Sequence, residues 1–165
     1  MPTWPRPERP EPSQIPLDER TALDERLDFQ RTTLLIKCAG LTPGQLAMRA
    51  CPPSTLSLLG LVRHLSGVEA WFHDYDRQPD HQFYWDYDAD PDDVDIALAA
   101  DDLASYRASV QRSWAAVAGR GLDDLTPTDG DYSLRWIYLH MIEEYARHNG
   151  HADFLRERID GTTGE

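Results

Sequence analysis

The stretch HMIEEYARHNGHADFLRER, residues 140–158, holds three histidines and two glutamates within its first twelve positions. Imidazole nitrogens and carboxylate oxygens are ligands for borderline divalent metals, and the same groups relay protons or hydrogen-bond one another. Helical phase, at about 100° per residue, helps to separate these roles. The apolar positions Leu134, Ile137, Met141, Leu155 and Ile159 define a seam whose three-four alternation runs through Glu144, His148 and His151. His140 falls at the edge of that seam, and Glu143 falls outside it, toward solvent. A carboxylate in a core stripe is costly unless it is paired, neutralised or bound to a cation. The seam therefore predicts either a buried Glu–His network that fixes the helices or a metal site.

A second helix supplies a candidate third group. His64, in LVRHLSGVEAWF, lies on the flank of the Leu61/Leu65/Val68 stripe, a position that an ordinary satisfied core histidine also occupies. Placed opposite Glu144 and His148, it completes a set of two imidazoles and one carboxylate. Glu144 and His148 are i,i+4, the spacing of the helical pair in HExxH sites. Two nitrogens and one oxygen leave a coordination position open for water or substrate, which suits Zn2+ first, with Ni2+ or Fe2+ as alternatives. His151, one turn beyond His148, is an alternative ligand to Glu144.

The surrounding groups have simpler readings beside functional ones. Arg63, Arg135 and Arg147 would bind carboxylates of a small-molecule cofactor or make surface or inter-helix ion pairs. Glu69 is either an acceptor behind a ligand histidine or an i,i+4 partner of His73. Cys38 falls on an apolar helix face and reads as packing, whereas Cys51 precedes two prolines in a loop. The sequence holds no Ser-His-Asp order that supports a triad, no glycine-rich phosphate loop and no CxxC zinc pair.

These residues need long helices to position them. The first is expected over about 19–39, with Leu23, Leu27, Leu34 and Cys38 inward and Gly40 just past its end. Thr42 and Pro43 predict a short capped turn. A second long helix is expected from a Ser54 cap, with Leu58, Leu61, Leu65, Val68 and Phe72 as its seam. Residues 77–99, with FYWDYDADPDDVD, read as a long crossover loop in which QFYWDYDAD covers a site mouth, forms a dimer contact, or is pinned by Phe83 and Trp85. A third helix over about 100–118 presents Leu103, Tyr106, Val110, Trp114 and Val117, and a fourth runs from Ser133 to about 158. The expected fold is an all-α four-helix bundle with a long crossover connection. Residues 1–16 carry six of the twelve prolines and form an N-terminal arm, leaving 17–165 as a single domain.

The chain as a whole narrows the partners. Its 165 residues carry a formal net charge of -13, which disfavours binding to nucleic acid or an anionic membrane surface. No run approaches the ~18 apolar residues of a membrane span, and no signal peptide is expected. Two cysteines make no disulfide framework, so a reducing, cytoplasmic setting is expected. Arginine exceeds lysine fifteen to one, a bias of composition rather than a function.

PPSTLSLLGLVRHLSGVEAWF and SLRWIYLHMIEEYARHNGHADFLRERIDGTTGE together resemble the DinB/YfiT-like superfamily of metal-binding four-helix bundles. Within it, the chain is similar to the branch grouped with mycothiol-dependent transferases, over about residues 17–165. The resemblance implies a metal held by the helix-two histidine, here His64, and by a His-x-x-x-His pair on the last helix. Here that pair is Glu144 and His148, so one histidine of the pattern is replaced by a carboxylate. It also implies a homodimer and a divalent metal that activates a low-molecular-weight thiol for transfer to a small electrophile. The alternatives are a non-catalytic metal- or small-molecule-binding bundle with a structural His/Glu cluster, and a stress-response binding or assembly protein.

Overall fold

Helix boundaries follow local chemistry at most ends. In the computed structural model, which describes residues 3–73, 92–126 and 132–163, α1 spans Glu19–Cys38 and is capped by Asp18, whose side chain accepts from the Thr21 amide at 2.8 Å. It stops where Gly40 adopts φ 77, a left-handed conformation that favours glycine. The short α2, Pro43–Leu46, begins with a reciprocal capping box between Thr42 and Gln45. Three further helices complete the set: α3, Leu58–His73; α4, Ala99–Val117, entered through a 3-10 turn at Ile96–Leu98; and α5, Leu134–Asp160, capped by Ser133. An isolated antiparallel bridge pairs Leu125 with Ser133.

The start of α3 corrects the expected Ser54 cap. The helix begins at Leu58, and it is the Ser57 hydroxyl that accepts from the Gly60 amide at 3.0 Å. Ser54 instead accepts from the Leu56 amide within a local turn. Both serines precede the same apolar run, so local chemistry permits either. Asp92 makes the difference: its Oδ1 accepts from the Ser57 amide at 2.8 Å and lies 3.2 Å from the Ser57 hydroxyl. The aromatic and acidic stretch around Phe83 and Trp85 lies outside the described residues.

α3 packs chiefly on α4, α1 packs on α5, and α3 meets α5 to join the two pairs. Leu27, Leu34 and Cys38 of α1 meet Leu58, Leu61, Leu65, Val68 and Phe72 of α3 in one core, together with Leu103, Tyr106 and Val117 of α4. This is an all-α bundle of four long helices.

The α5 seam is rotated from the expected one. Its fully buried residues are Leu134, Ile137, Tyr138, Met141, Tyr145, Asn149, Ala152 and Leu155. Glu144, His148 and His151 flank that stripe and are half-buried rather than central. Tyrosine, asparagine and alanine carry the middle turns, so a seam traced through strongly apolar residues slides by one position. Asn149 justifies its burial by donating to the Gln30 carbonyl at 2.9 Å and to its side-chain oxygen at 2.8 Å.

A polar knot crosses the core. Arg31 of α1 forms a two-pronged ion pair with Glu69 of α3, with both N–H···O distances at 2.7 Å. Tyr145 of α5 donates to the same carboxylate at 2.7 Å, and its oxygen is 3.0 Å from that of Tyr106 on α4. Ser113 of α4 donates to the Glu69 carbonyl. Burial of such a pair is tolerable because every charged oxygen is engaged. Glu69 is therefore part of an inter-helix lock, and the His73 side chain lies outside the described residues.

The N-terminal segment lies on its own bundle. Trp4 is buried and its carbonyl accepts from the Gly40 amide at 2.9 Å. Arg9 stacks over the Phe29 ring at 4.2 Å and donates to Thr33. No helix among the described residues is long and apolar enough to cross a membrane.

Candidate metal centre

The flanks of α3 and α5 bring together the groups that the sequence places far apart. His64, Glu144 and His148 each offer one ligand atom, and these atoms lie within 4.8 Å of one another. Glu144 Oε2 is 4.0 Å from His64 Nε2 and 3.4 Å from His148 Nε2. The imidazoles meet edge to face, with ring centroids 4.5 Å apart. Their side chains are 19% (His64), 13% (Glu144) and 14% (His148) exposed, so the cluster is sheltered but reachable from solvent.

Glu144 divides its oxygens. Oε1 pairs with Arg147, which also reaches Glu143 at 3.1 Å, while Oε2 faces the two rings. Arg147 is thus an ion-pair partner at the edge of the cluster. Arg135 bridges to Glu19 and Asp123 on the surface, away from the cluster, and Arg63 donates to the Asp93 carbonyl at 2.7 Å. These contacts favour the structural role for Arg135 and Arg63.

Burial pushes the His64 imidazole below its ordinary value, opposed by the nearby charges of Glu144 and Asp92. His148 is pushed down to about 4, by burial first and then by His64, again opposed by Glu144. Both rings are therefore neutral at neutral pH, and their short distances to Glu144 are contacts with neutral groups rather than ion pairs. Neutral imidazoles present the lone pairs that a metal requires. Two nitrogens and one carboxylate oxygen fit a borderline divalent ion with an open position.

His151 stands behind this group. Its Nδ1 is 3.4 Å from Nδ1 of His148, on the ring edge opposite the Nε2 atom that faces Glu144. The trio within 4.8 Å does not include it. His140 stacks on Trp136 at 5.0 Å between centroids, one turn from Glu144, and is likewise outside the trio. Of the cysteines, Cys38 is buried and its thiol is pushed up to about 12, so it is inert, whereas Cys51 is partly accessible.

Two contributors escaped the sequence reading. Asp92 approaches the first turn of α3 because Gly60 has no side chain: a Cβ there would lie 2.0 Å from Asp92 Oδ1. The Arg31–Glu69 lock was legible in principle, since Arg31 falls four residues after Leu27 and Glu69 four after Leu65, both in phase with their apolar seams.

No curated protein and no solved structure matches the chain. A family model described as mycothiol-S-transferase matches residues 22–161, which takes in all four long helices from within α1 to the end of α5 and every member of the His64/Glu144/His148 trio. The chain therefore belongs to the mycothiol-S-transferase family.

Proposed function

We propose that the protein is a metal-dependent thiol S-transferase, with His64, Glu144 and His148 as the ligands of a single divalent ion. The observation that carries this reading is the convergence of two neutral imidazoles and one carboxylate from separate helices within 4.8 Å. Membership of the mycothiol-S-transferase family supports the reaction class. Zn2+ is the first choice for this donor set, with Ni2+ or Fe2+ next. A bound ion supplies Lewis acidity, which lowers the pKa of a low-molecular-weight thiol so that it attacks an electrophile near neutral pH.

The protein's own residues hold and tune this centre. Arg147 fixes one oxygen of Glu144 and leaves the other aimed at the imidazoles. His151 backs the His148 ring and restrains its rotation. No cysteine nucleophile is required, in keeping with the buried, protonated Cys38. Free Cys38 and Cys51 suit a reducing cytoplasm, and the active species is proposed to be a homodimer.

The ion pair of Glu144 with Arg147 also favours a second reading, a structural His/Glu cluster that needs no ion. Elemental analysis of untagged protein separates the two. The transferase reading expects about one divalent ion per chain, lost in both His64→Ala and His148→Ala but kept in His140→Ala. Ion-free protein in which the first two substitutions only lower the melting temperature would leave the structural cluster standing. Metal binding without turnover, across a panel of thiols and electrophiles, would instead indicate a binding protein.

A further inference from the structure

The face of α5 turned away from the bundle carries a pattern that the candidate metal centre does not use. At about 100° per residue, Trp136, Leu139, Glu143, Arg147, Gly150 and Phe154 fall within about 80° of one another. They lie opposite the buried stripe of Met141, Tyr145 and Ala152. Phe154 is 68%, Leu139 54% and Trp136 43% exposed, and the Glu143 and Arg147 side chains are also more than half exposed. Trp136 stacks on both Tyr132 and His140, at 4.5 and 5.0 Å between centroids, so its indole is held in one orientation. Aromatic side chains of this kind are enriched at protein contacts. Gly150 adds a second feature. A glycine inside a helix costs about 1 kcal/mol relative to alanine, yet a Cβ at this position would meet nothing within 4 Å. Packing among the described residues therefore does not require the missing side chain.

The pattern is preserved when the helix is reversed about the height of Tyr145. Trp136 and Phe154 lie nine residues before and after it, and Glu143 and Arg147 lie two residues before and after. Gly150, five residues beyond, comes within one residue's rise of Leu139, six residues before. Two copies of α5 laid antiparallel across a two-fold axis at this height set Trp136 against the partner's Phe154 and Glu143 against the partner's Arg147. Leu139 then lies over the partner's Gly150, and every contact is made twice. That reciprocity is what a closed, isologous dimer requires. A parallel arrangement would instead set Glu143 against Glu143 and Arg147 against Arg147. Net charge favours the same face. At -13, two copies repel over most of their surface, whereas this strip holds one acid and one base.

We propose that this face of α5 is the interface between two copies of the chain, packed antiparallel about Tyr145. The assignment rests on the homodimer reading and supplies its contact surface. Trp136 and Phe154 are the apolar anchors, placed about 27 Å apart at the two ends of the contact. Glu143 and Arg147 fix its direction and register. Gly150 lets the two helices approach closely where Leu139 crosses. Arg147 also holds Glu144 Oε1, so the interface borders the candidate metal centre and restrains a group that orients one of its proposed ligands.

Sedimentation velocity of the full-length protein reads the assembly directly, and wild type is expected to be a dimer. Phe154→Ser and Gly150→Gln should each weaken that dimer at least tenfold. Neither changes the net charge or touches the core, and circular dichroism should show the helices retained. Glu143→Arg and Arg147→Glu should each sediment as monomers, because each sets like charges across the contact. An equal mixture of the two should restore a dimer of mixed composition. With a dimeric wild type, a dimer that persists in Phe154→Ser and Gly150→Gln, or a mixture of the charge variants that stays monomeric, would overturn the α5 interface and leave the homodimer reading intact. Wild-type protein that stays monomeric would overturn both and leave this face to an unlike partner. Metal content, read on the same samples, keeps either failure distinct from failure of the transferase reading.

Discussion

At Glu144 a single carboxylate serves two neighbours: Arg147 holds Oε1, and Oε2 faces His64 and His148. That division keeps a negative charge beside two neutral rings, the arrangement a cation would find ready-made. It has a consequence for the ion-free protein. His148 titrates at about 4, against 6.5 for an ordinary imidazole, chiefly because burial disfavours its charged form. Between those values the unfolded chain binds a proton that the native protein refuses, so stability falls as pH drops from about 6.5 toward 4. The loss attributable to this group should reach about 2–3 kcal/mol by pH ~4.5. Urea denaturation of metal-free protein across this range should show a steeper pH dependence in wild type than in His148→Asn. Parallel curves would mean that His148 is not held neutral.

Among the elements, α3 shows how a distant residue selects a helix start. Ser54 and Ser57 are both competent caps, and Asp92 engages Ser57. That engagement needs the empty space over Gly60, where a Cβ would lie 2.0 Å from Asp92 Oδ1. Gly60→Ala should therefore cost stability despite alanine's better helix propensity, by about 1–2 kcal/mol as the buried carboxylate loses its amide. Asp92→Ala should cost a similar amount, and the double variant should cost far less than the sum, because both changes remove the same contact. Chemical denaturation of the four proteins measures this coupling. Additive losses would show that Gly60 and Asp92 act independently. Since Asp92 also acts electrostatically on His64, one turn beyond Gly60, the same packing bears on the candidate metal centre.

For the molecule as a whole, the four long helices are tied by the Arg31–Glu69–Tyr145–Tyr106 knot as well as by apolar packing. Removal of one partner strands a buried charge. Arg31→Met should thus destabilise the fold by about 3–5 kcal/mol, and the Arg31→Met/Glu69→Leu pair by much less. Equilibrium unfolding of the single and double variants checks this. A double variant as unstable as the single would mean that the knot contributes more than charge compensation. The knot also separates two kinds of carboxylate in this protein: both Glu69 oxygens are engaged by Arg31 and Tyr145, whereas the Glu144 oxygen facing the imidazoles remains oriented toward an accessible flank.

Helix identity was written locally. Asp18 and Ser133 as caps, Gly40 and Gly161 in left-handed conformations, and the Thr42–Pro43 start all act through neighbours in the chain, so they are readable without a fold, although Asp18 and Gly161 were passed over. The Glu144 and His148 pair was legible from its i,i+4 spacing, whereas the choice of His64 as its partner, and of Glu144 over His151, rested on the resemblance to the DinB/YfiT-like superfamily. The phase of α5 was not legible in the same way. Tyr145, Asn149 and Ala152 occupy the buried stripe, and tyrosine and asparagine can be buried only because Glu69 and Gln30 on other helices receive their hydrogen bonds. Periodicity sees residue types but not the partners that satisfy them. For the same reason, only the packed structure could choose Ser57 over Ser54, pair Arg31 with Glu69, and turn Glu144 and His148 from the core centre to a half-buried flank within reach of solvent.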